Sequence, residues 1–581
     1  MTRRWRIHPH DPERIASLQR AAGLPAVVAQ LLVCRGISDP TQARQFLDSR
    51  LSDLRDPAAM PGCAEAARLI EDAVRRRKRI VVYGDYDVDG ASATAILRQC
   101  IKLLGGNVGY YLPSRLEEGY GLNSEAIDRL VAEKAELLVT VDCGIASVEE
   151  ARVARCRGLD LIITDHHEPP LVLPDAAAIV HPRLPGSEYP FGGLSGSGVA
   201  FKLAWAICQQ ASGATKVAPA MRDFLLKAVG MAALGTVADV VPLVDENRVL
   251  VRHGLTSLKQ CDWPGVKALL EIAGLHEKPR LDAEDIAFQL APRLNAAGRL
   301  GQAQLAVELL VTERAERAAE LAQYLDQLNA NRQTLERSIY LAANKQIKEL
   351  GDLDSEPALV LAQHGWHPGV LGIVAGRLAE KYHRPVVLIA WDQLGVRPGV
   401  GSARSVPGFH LHAALEACHE HLLGHGGHAA AAGLSIEESK FEAFRASFYE
   451  YVAAHLGEDG MPADLLVDAE APFSSFTIEV VDQIEQLAPF GHGNQRPVLC
   501  ASGVSLAASP QLMGSSGRHL AVRLSQHDTT LRAVAFGRED WAEPLGAANG
   551  PLDVAFRPTV NSFRGRRSVE LHLVDWRPTE E

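Results

Sequence analysis

Short runs of aliphatic and β-branched residues alternate with amphipathic stretches between residues 79 and 182. The stretches between the runs, such as residues 91–104, have the spacing of apolar positions that is typical of helices. Strands that alternate with helices indicate βαβ units and a parallel sheet. Ligands of such sheets bind beyond the carboxyl ends of the strands, so the residues after each strand are the first candidates for function. The predicted strands are Arg79–Tyr83, Val108–Leu112, Glu136–Val141, Asp160–Thr164 and Ala177–Val180.

A long helical segment is predicted next. Residues 302–350 contain neither Gly nor Pro and are rich in Ala, Leu, Glu, Gln and Arg, a composition that favours helices. Thr312 is a candidate cap that divides the segment into a short and a long helix. A helix from 313 to 350 would be roughly 55 Å long at 1.5 Å per residue, which is enough to connect two domains.

A second α/β pattern follows this helix, with strands predicted at Ala358–Ala362 and Val386–Ala390 and a helix that begins near Gly369. Beyond residue 463, one helical stretch near 476–487 precedes a series of short alternating strands. Many short strands in so little chain favour a small β-barrel. These strands are Val504–Ala507, His519–Leu524, Leu531–Phe536, Leu552–Phe556 and Ser568–Val574.

The length and composition of the chain favour a multidomain protein without membrane segments or disulfides. A chain of 581 residues is expected to form several domains. No apolar run approaches the roughly 18 residues of a membrane helix, and the charged start MTRRWRIHPHD lacks a signal segment. The nine cysteines are scattered without a CxxC pair, as is typical of reduced thiols. We therefore expect a cytoplasmic protein with no membrane segment. The net charge of −12 argues against general electrostatic DNA binding but leaves room for a local basic groove.

Three aspartates on alternate positions follow the first predicted strand, namely Asp85, Asp87 and Asp89 in GDYDVDG. Carboxylates this close repel one another unless cations neutralise them, and hard oxygen ligands suit Mg²⁺ or Mn²⁺. The alternative is an acidic turn in which a carboxylate caps a helix that starts at Ala91. This segment alone does not decide between the two interpretations.

Other apolar stretches end in the same way. Asp142 follows the strand at 136–141, an Asp-His-His-Glu sequence at 165–168 follows the strand at 160–164, and Asp239 follows an apolar stretch. Any one of these residues alone is more often a cap or a turn residue. Four such clusters that converge on one sheet edge are hard to explain by capping. Histidine among the carboxylates favours Mn²⁺ over Mg²⁺.

These segments resemble the DHH phosphoesterases, whose defining motif is present as Asp165-His166-His167. Within that superfamily the chain is similar to the RecJ family, and the resemblance covers about residues 50–581. It rests on many motifs in one order: GDYDVDG (84–90), PSRLEEGYGL (113–122), VTVDCGI (139–145), TDHHE (164–168), ALGTVADVVPL (233–243), APRLNAAGRLG (291–301), GWHPGVLGIVAGRL (365–378), GSARS (401–405) and GHGGHAAAAG (424–433).

The resemblance implies an α/β fold with a parallel-sheet DHH domain, a long connecting helix, a second α/β domain called DHHA1 and a C-terminal OB-fold-like β-barrel. No chemistry is evident in the first residues. We expect the following division: an N-terminal helical segment at 1–50, the DHH catalytic domain at 51–310, the connecting helix at 311–350, the DHHA1 domain at 351–460 and the OB-fold-like nucleic-acid-binding domain at 461–581.

The resemblance also implies two divalent ions, Mn²⁺ or Mg²⁺. Their implied ligands are Asp87, Asp89, Asp142, His166 and Asp239, with Asp85 as a further ligand or a nearby acid. Asp142 is the expected bridging ligand, because it is a lone acid between two groups. Simpler relatives carry a histidine where this chain has Tyr83, so the full ligand set of the first metal stays open. Catalytic roles are expected for Asp87, Asp142 and His167. His167 would contact the scissile phosphate or, alternatively, orient its neighbours.

Candidate substrate-binding residues lie in several other motifs. Arg115 can reach a phosphate, with a surface salt bridge as the alternative, and Arg299 can do so unless it forms an interdomain ion pair. Gly-rich backbone approaches phosphates closely, although such turns are often purely structural. The candidates of this second kind are Ser402, Arg404, Ser405, Gly426, Gly427 and His428.

The terminal barrel resembles an OB-fold, whose groove commonly follows single strands with basic and aromatic side chains. The segment from Phe563 to Arg567 is predicted to be a hairpin turn with three cations, either for DNA or simply solvated. The resemblance implies a single-stranded-DNA-specific 5′ to 3′ exonuclease that releases 5′-mononucleotides. It would act in recombination and repair beside single-strand binding protein and a RecQ-type helicase. Polarity and partners come only from the resemblance.

Two other functions remain possible from the sequence. One is a DHH phosphodiesterase of short oligonucleotides or cyclic dinucleotides, although such relatives are typically shorter and the terminal barrel argues for a long polymer. The other is a non-catalytic DNA-binding accessory protein. The intact acids and histidines of the motifs argue against that second function.

Overall fold

The structure is a computed structural model that describes residues 4–114, 118–119, 121–351, 353, 356–456, 464–514, 517–548, 550–563 and 565–579. The chain forms two compact units. The larger unit comprises Asp56–Asp239 and Gly254–Met461, and the smaller comprises Met1–Arg55, Val240–His253 and Pro462–Glu581.

A parallel sheet of five strands organises the first part of the larger unit. Its three central strands are almost wholly buried, as expected for apolar strands with helices on both faces, whereas the edge strand Asn107–Tyr111 is only partly buried. The spatial order is Asn107–Tyr111, Arg79–Gly84, Leu137–Val141, Asp160–Thr164 and Ala178–Val180. The helices of this part are Cys63–Arg75, Val88–Leu103, Ser124–Ala132, Val148–Cys156, Gly196–Ser212 and Pro219–Ala238.

The predicted strands of this sheet are confirmed to within two residues at each end. The helix after the first strand begins at Val88 and not at Ala91. Asp87 is its N-cap, and its carboxylate accepts a hydrogen bond from the backbone N–H of Gly90 at 3.0 Å. Asp89 and Gly90 therefore lie inside the first turn of the helix.

The connecting segment is helical, as predicted. A short helix, Gln304–Val311, is separated from a long one, Ala315–Glu349, at Thr312. The Thr312 hydroxyl accepts a hydrogen bond from the backbone N–H of Arg314 at 3.4 Å. The long helix has 35 residues, so it is about 50 Å long. Further helices before it are Pro264–Ile272, Ala283–Asp285, Ile286–Leu290 and Ala291–Arg299.

The second sheet of the larger unit is mixed. Leu359–His364 and Val386–Trp391 pair in parallel, and the other pairs are antiparallel. Ile339, Ala343 and Ile347 of the long helix are buried against the helix that follows the first of these strands. The strand order is Gly424–Gly427, Ala431–Ile436, Gly399–Arg404, Val386–Trp391 and Leu359–His364, and the helices are Pro368–Tyr382, Leu411–Ala417 and Phe441–His455.

The smaller unit contains the predicted barrel. Five strands pair in a ring, and pairing of the first strand with Leu552–Phe563 closes it. The ring order is Leu499–Met513, His519–Gln526, Thr529–Ala535, Arg566–Pro578 and Leu552–Phe563. Helices Ile478–Glu485 and Ala542–Ala547 and the short strands Leu465–Val467 and Ala469–Glu470 accompany it.

The first residues of the chain belong to this smaller unit, which the sequence did not indicate. Strand Trp5–Ile7 pairs in parallel with Leu465–Val467. Three helices follow, and their side chains Leu18 and Leu31 are fully buried in one cluster with barrel residues such as Phe556. The helices are Pro12–Ala22, Ala26–Cys34 and Pro40–Leu47.

Residues 240–253, which begin the helix Asp245–Gln260, are the third part of the smaller unit. Arg248 is 2% exposed and joins the three parts. Its guanidinium donates to the carbonyl of Phe46 at 2.9 Å, to that of Leu487 at 2.7 Å and to that of Gln486 at 3.1 Å.

Within the described part of the chain, no single helix has both the length and the apolar composition needed to cross a membrane. Pro12–Ala22 and Ala26–Cys34 meet those two criteria only as a pair that is bent by 117°.

Candidate metal centre and nucleotide-binding surfaces

Three aspartates follow neighbouring strands at the same level of the parallel sheet. Gly84 pairs with Val141, and Val141 pairs with Thr164. The next residue of each strand is therefore Asp85, Asp142 or Asp165. The pairing register alone brings these three carboxylates to one edge of the sheet.

The predicted ligands come together at this edge in overlapping groups. In each group, one ligand atom per residue lies within 4.8 Å of the others. The link between the groups is short, because His166 Nε2 lies 3.1 Å from an Asp142 carboxylate oxygen and 3.5 Å from one of Asp239. The groups are Asp85, Asp87 and Asp142; Asp89, His166 and Asp239; and Asp142, His166 and His167.

Asp239 reaches the centre from a helix. The apolar stretch before it is the end of the helix Pro219–Ala238, and Asp239 is the C-cap. The apolar stretch that the sequence left unassigned is therefore a helix, and Asp239 still joins the other acids at the centre. A buried helix and a buried strand have the same uninterrupted apolar pattern, so periodicity does not separate them.

Asp89 is fixed by the start of another helix. Its two carboxylate oxygens accept hydrogen bonds from the backbone N–H groups of Gly196 at 2.6 Å and Ser197 at 2.9 Å. Both donors lie in the first turn of the helix Gly196–Ser212, where free N–H groups and the helix dipole favour an anion. Asp89 is thus held in place before any ligand binds.

Two glycines leave room for the carboxylates, and sequence reasoning missed both. A Cβ on Gly196 would lie 2.4 Å from a carboxylate oxygen of Asp142. A Cβ on Gly235 would lie 2.2 Å from one of Asp89. The only signal in the sequence is a pair of small-residue stretches, SGSG at 195–198 and ALG at 233–235, and nothing in them points to a particular carboxylate.

Asp142 is the most constrained of these acids. It is 2% exposed, and its backbone has a φ of +62°, a left-handed conformation that non-glycine residues seldom adopt. Burial, followed by repulsion from Asp89 and Asp87, raises its pKa well above the usual value for a carboxyl.

The pKa values of the neighbouring residues are also shifted towards the neutral forms of their side chains. Burial and repulsion from Asp89 raise the pKa of Asp87, and the same two causes raise the pKa of Asp239 to about 9. Burial lowers the pKa of His166 to about 4, so the imidazole is neutral. Clustered carboxylates and a neutral imidazole are the ligands that a divalent cation such as Mn²⁺ requires, so these residues fit a metal centre.

Asp165 orients the two histidines of its motif. One of its oxygens accepts hydrogen bonds from the backbone N–H of His166 at 2.7 Å and from His167 Nδ1 at 2.7 Å. The other accepts from the backbone N–H of Ile145 at 2.9 Å. Burial alone would raise the pKa of Asp165, but its contacts with His167 lower it to about 2. The same hydrogen bond raises the pKa of His167 against the effect of burial.

His167 and His166 differ in exposure. The side chain of His167 is 37% exposed, whereas that of His166 is 10% exposed. The Nδ1 atom of His167 contacts Asp165, so a ligand contact by this ring would be made through Nε2. Asp165 therefore orients the ring, and contact of His167 with a scissile phosphate stays a prediction.

Tyr83 has a structural place at the end of its strand. It is fully buried, its hydroxyl donates a hydrogen bond to the Gly121 carbonyl at 2.9 Å, and its ring stacks on Tyr111. Burial raises the pKa of the phenol further. A neutral phenol that is engaged in this way is a poor metal ligand.

The glycine-rich residues of the second sheet form a continuous row. Gly426 pairs with Gly433, and Gly433 pairs with Ser402, across three antiparallel strands. A Cβ at Gly426 would meet no atom within 4 Å, so packing does not require a glycine there. The row is therefore an open stretch of backbone that a flat or charged ligand can approach closely.

The other candidates of this sheet lie on one side of the row, further along the chain from Gly426 and from Ser402. Arg404 donates to the Ser402 hydroxyl at 3.3 Å, and the Ser405 hydroxyl donates to the Phe409 carbonyl at 2.7 Å. Gly427 has a φ of +134°, and a Cβ there would lie 2.5 Å from the Ala431 carbonyl oxygen. This turn therefore requires glycine, and it presents His428 as an exposed residue.

The two predicted arginines have different outcomes. Arg299 donates to the carbonyl of Gly369 at 3.2 Å, which is a contact between the first and second sheet regions. Binding of a phosphate by Arg299 stays a prediction. Gly372 lies three residues after Gly369. A Cβ added at Gly372 would lie within 3 Å of both Ser402 and Arg404. Arg115 lies outside the described residues.

The barrel carries an exposed aromatic cluster that the sequence did not single out. Phe536 is 57% exposed. The ring centroids of His519 and His572 lie 5.5 Å and 5.2 Å from that of Phe536. His519 and His572 lie on the second and fourth strands in the ring order, and Phe536 directly follows the third.

In the predicted cationic hairpin, Arg567 pairs with Asp482 at 2.6 Å, and Arg564 lies outside the described residues.

Three family models match the chain. The DHH family N-terminal domain matches residues 79–231, the DHHA1 domain matches 355–454 and the RecJ OB domain matches 467–575.

Similar proteins share the name single-stranded-DNA-specific exonuclease RecJ. The one from Bacillus subtilis (strain 168) is 36% identical over 98% of this chain and 70% of its own length. The one from Escherichia coli (strain K12) is 35% identical over 95% of both chains. A crystal structure of RecJ from Thermus thermophilus in complex with Mn²⁺ matches all of this chain and 80% of that chain, with a TM-score of 0.83 and 33% identity.

Proposed function

The chain belongs to the RecJ family of single-stranded-DNA-specific exonucleases, and we propose that it is a metal-dependent hydrolase that digests single-stranded DNA from the 5′ end and releases 5′-mononucleotides. The observation that carries the proposal is the convergence of five aspartates and two histidines at one edge of the parallel sheet. RecJ from Thermus thermophilus has been crystallised with Mn²⁺ and with Mg²⁺, and these are the ions we assign.

We assign two divalent ions to this centre. Asp85, Asp87 and Asp142 form one ligand group, and Asp89, His166 and Asp239 form the other. Asp142 lies beside His166, which supports its role as the bridging ligand. Two divalent cations at such a centre would activate a water and neutralise the attacking and leaving oxygens of the phosphodiester.

The protein's own contribution to the reaction is orientation. Asp89 is held by two backbone N–H groups and Asp142 by its unusual backbone, so neither ligand has to reorganise. The Asp165 carboxylate holds His167 Nδ1, and His167 Nε2 would donate a hydrogen bond to the scissile phosphate. Such preorganised donors lower the barrier because the protein need not rearrange as charge develops.

Two surfaces would bind the DNA strand. In the larger unit, the row of Gly426, Gly433 and Ser402 with the nearby Arg404 and His428 offers backbone, hydroxyl and cationic groups to the terminal nucleotide. In the smaller unit, the aromatic cluster of His519, Phe536 and His572 lies on the kind of barrel face that binds single strands in OB-folds. Bases stack on such rings whatever their sequence.

We place the protein in the cytoplasm, in DNA recombination and repair, with a RecQ-type helicase and single-strand binding protein as partners. This placement rests on family membership. Single-stranded DNA is the partner for which the chain itself offers binding surfaces.

The first test is digestion of single-stranded DNA that carries a label at the 5′ or the 3′ end, in Mn²⁺, with duplex DNA and dinucleotides as alternative substrates. We expect 5′ label to be released first as mononucleotide from single strands only, and EDTA to stop the reaction. Asp142→Asn provides the inactive control, and His276→Ala, an exposed histidine outside the centre, provides the active one.

Other outcomes have distinct meanings. Release of 3′ label first would reverse the polarity. Cleavage of dinucleotides without digestion of the polymer would indicate a small-substrate phosphodiesterase. Binding of single strands without any cleavage would indicate an accessory protein.

A further inference from the structure

A second group of potential metal ligands lies in the second sheet region of the larger unit. His412 and Glu416 are four residues apart on the helix Leu411–Ala417, so their side chains share one face. His425 lies on the neighbouring edge strand Gly424–Gly427. One ligand atom from each of the three residues lies within 4.8 Å of the other two.

The distances suit a tetrahedral cation. His425 Nε2 and a Glu416 carboxylate oxygen are 3.5 Å apart. Bonds of ~2.1 Å at a tetrahedral centre place neighbouring ligand atoms about 3.4 Å apart. The His412 and His425 rings meet edge to face, with centroids 5.7 Å apart. One ligand atom of each side chain therefore already lies close to the other two without a change of backbone.

Solvent reaches the three-residue group from the side of Glu416 but hardly from the side of His425. The side chain of His425 is 14% exposed, whereas that of Glu416 is 65% exposed. A cation can therefore enter from the carboxylate side, and water can complete its coordination. The imidazole that anchors it is already held in the protein.

A simple ion pair explains less of the arrangement. Attraction between His425 and Glu416 accounts for two residues, but not for the His412 ring beside them. In addition, His425 Nδ1 is buried and has no hydrogen-bond partner among the residues that the structure describes. Hydrogen bonding on that side of the ring thus does not explain its position.

We propose that His412, Glu416 and His425 form a second metal site for a transition ion of the Zn²⁺ class. Two imidazoles and one carboxylate are a familiar Zn²⁺ ligand set, and imidazole-rich sites favour later transition ions over Mg²⁺ and Mn²⁺. The site is therefore distinct in chemistry from the aspartate-rich centre. Gly427 and His428 lie just beyond His425 in the chain, so the ion would fasten the helix Leu411–Ala417 to the strand that leads into the open glycine row.

The test compares the Zn²⁺ content of three full-length proteins that have been stripped with EDTA, loaded with Zn²⁺ and freed of excess by gel filtration. These are the wild type, His412→Ala/His425→Ala and the control His276→Ala. The aspartate-rich centre is present in all three, so its Zn²⁺ cancels in the comparison. We expect the double variant to hold one Zn²⁺ per chain fewer than the other two. Zn²⁺ should raise the Tm of the wild type by several degrees more than that of the double variant.

The metal-free Tm and Mn²⁺-dependent digestion of DNA show whether the double variant folds. Should it fail to fold, Glu416→Gln, a change at an exposed side chain, replaces it and is expected to weaken Zn²⁺ retention at least tenfold. Equal Zn²⁺ content in the wild type and a folded variant would overturn the proposal. An equal loss of Zn²⁺ in His276→Ala would overturn it as well, because the binding would then not depend on this group.

Discussion

Asp142 has two energetically unfavourable features that its proposed role as a metal ligand would explain. Its left-handed backbone costs about 1–3 kcal/mol for a non-glycine residue. Its buried carboxylate is surrounded by other acids, so ionisation is opposed as well. Neither feature stabilises the fold, and both place an oxygen ligand between the two groups of the centre.

Replacing Asp142 by Asn should therefore separate stability from activity. Because the folded state raises the pKa of this carboxyl, its ionised form at neutral pH opposes folding, and a neutral side chain removes that opposition. Asn also tolerates the left-handed conformation. We expect a higher Tm than wild type in EDTA, no comparable gain in Mn²⁺ and a loss of activity of at least about a thousandfold. Thermal melts with and without Mn²⁺ check this, and a lower Tm in EDTA would contradict it.

The small residues around the centre give a second prediction. Gly196→Ala places a methyl group 2.4 Å from an Asp142 oxygen and should weaken Mn²⁺ affinity about 10- to 100-fold, as displaced supporting contacts do at metal sites. Gly198→Ala is the matched control, because it lies in the same helix turn and its nearest neighbour is a Leu194 methyl at 3.3 Å. Mn²⁺ titration followed by activity compares the two. Equal Mn²⁺ affinities of Gly196→Ala and Gly198→Ala would show that the centre tolerates the added methyl group.

At the scale of single elements, the sequence predicted what local pattern determines. The five parallel strands are short apolar runs, and Asp85, Asp142 and Asp165 could be placed because they follow those runs. The start of the helix after Asp87 was misplaced, since one aspartate serves both as a cap and as a candidate ligand. The donors of Gly196 and Ser197 to Asp89 could not be predicted, because a contact across about a hundred residues leaves no periodic signal.

The aromatic cluster of the barrel makes a prediction at this scale. Phe536→Ala should weaken binding of single-stranded DNA by about 1–3 kcal/mol, the usual contribution of one stacked base. Phe536→Trp should retain it, because the larger ring still stacks. Fluorescence anisotropy with a labelled oligonucleotide in a buffer free of divalent ions measures the effect without cleavage. Unchanged affinity in Phe536→Ala would remove this face from the path of the DNA.

At the scale of the whole molecule, the smaller unit is built from three separate stretches of chain. The barrel itself was predictable from its alternating strands. Its covering by residues 1–55 and its link to residues 240–253 were not, since nothing in either stretch of sequence indicates which part of the chain it packs against. The burial of Leu18 and Leu31 against the barrel becomes visible only in three dimensions.

Arg248 tests how much the smaller unit depends on this assembly. Arg248→Met should remove the guanidinium donor from three carbonyls. The bond to Leu487 is buried, and that carbonyl keeps Asn494 Nδ2 as a donor. We expect the free energy of unfolding to fall by about 3 kcal/mol or more. Arg222→Met, at an exposed position, should have little effect. Denaturant unfolding of both variants measures the difference. A change of less than about 1 kcal/mol in Arg248→Met would mean that water replaces the guanidinium.

The strand Trp5–Ile7 can pair with Leu465–Val467 only after the second strand has been synthesised, which delays folding of this part of the nascent chain. Trp5 meets Leu465 across 460 residues of sequence, which at 5–20 residues per second corresponds to roughly 20 to 90 s of translation. During that interval the apolar faces of the first three helices have no barrel to cover them. These helices leave the ribosome well before the barrel that covers them, so they are among the last parts of the smaller unit to fold and the ones that chaperones have most reason to hold.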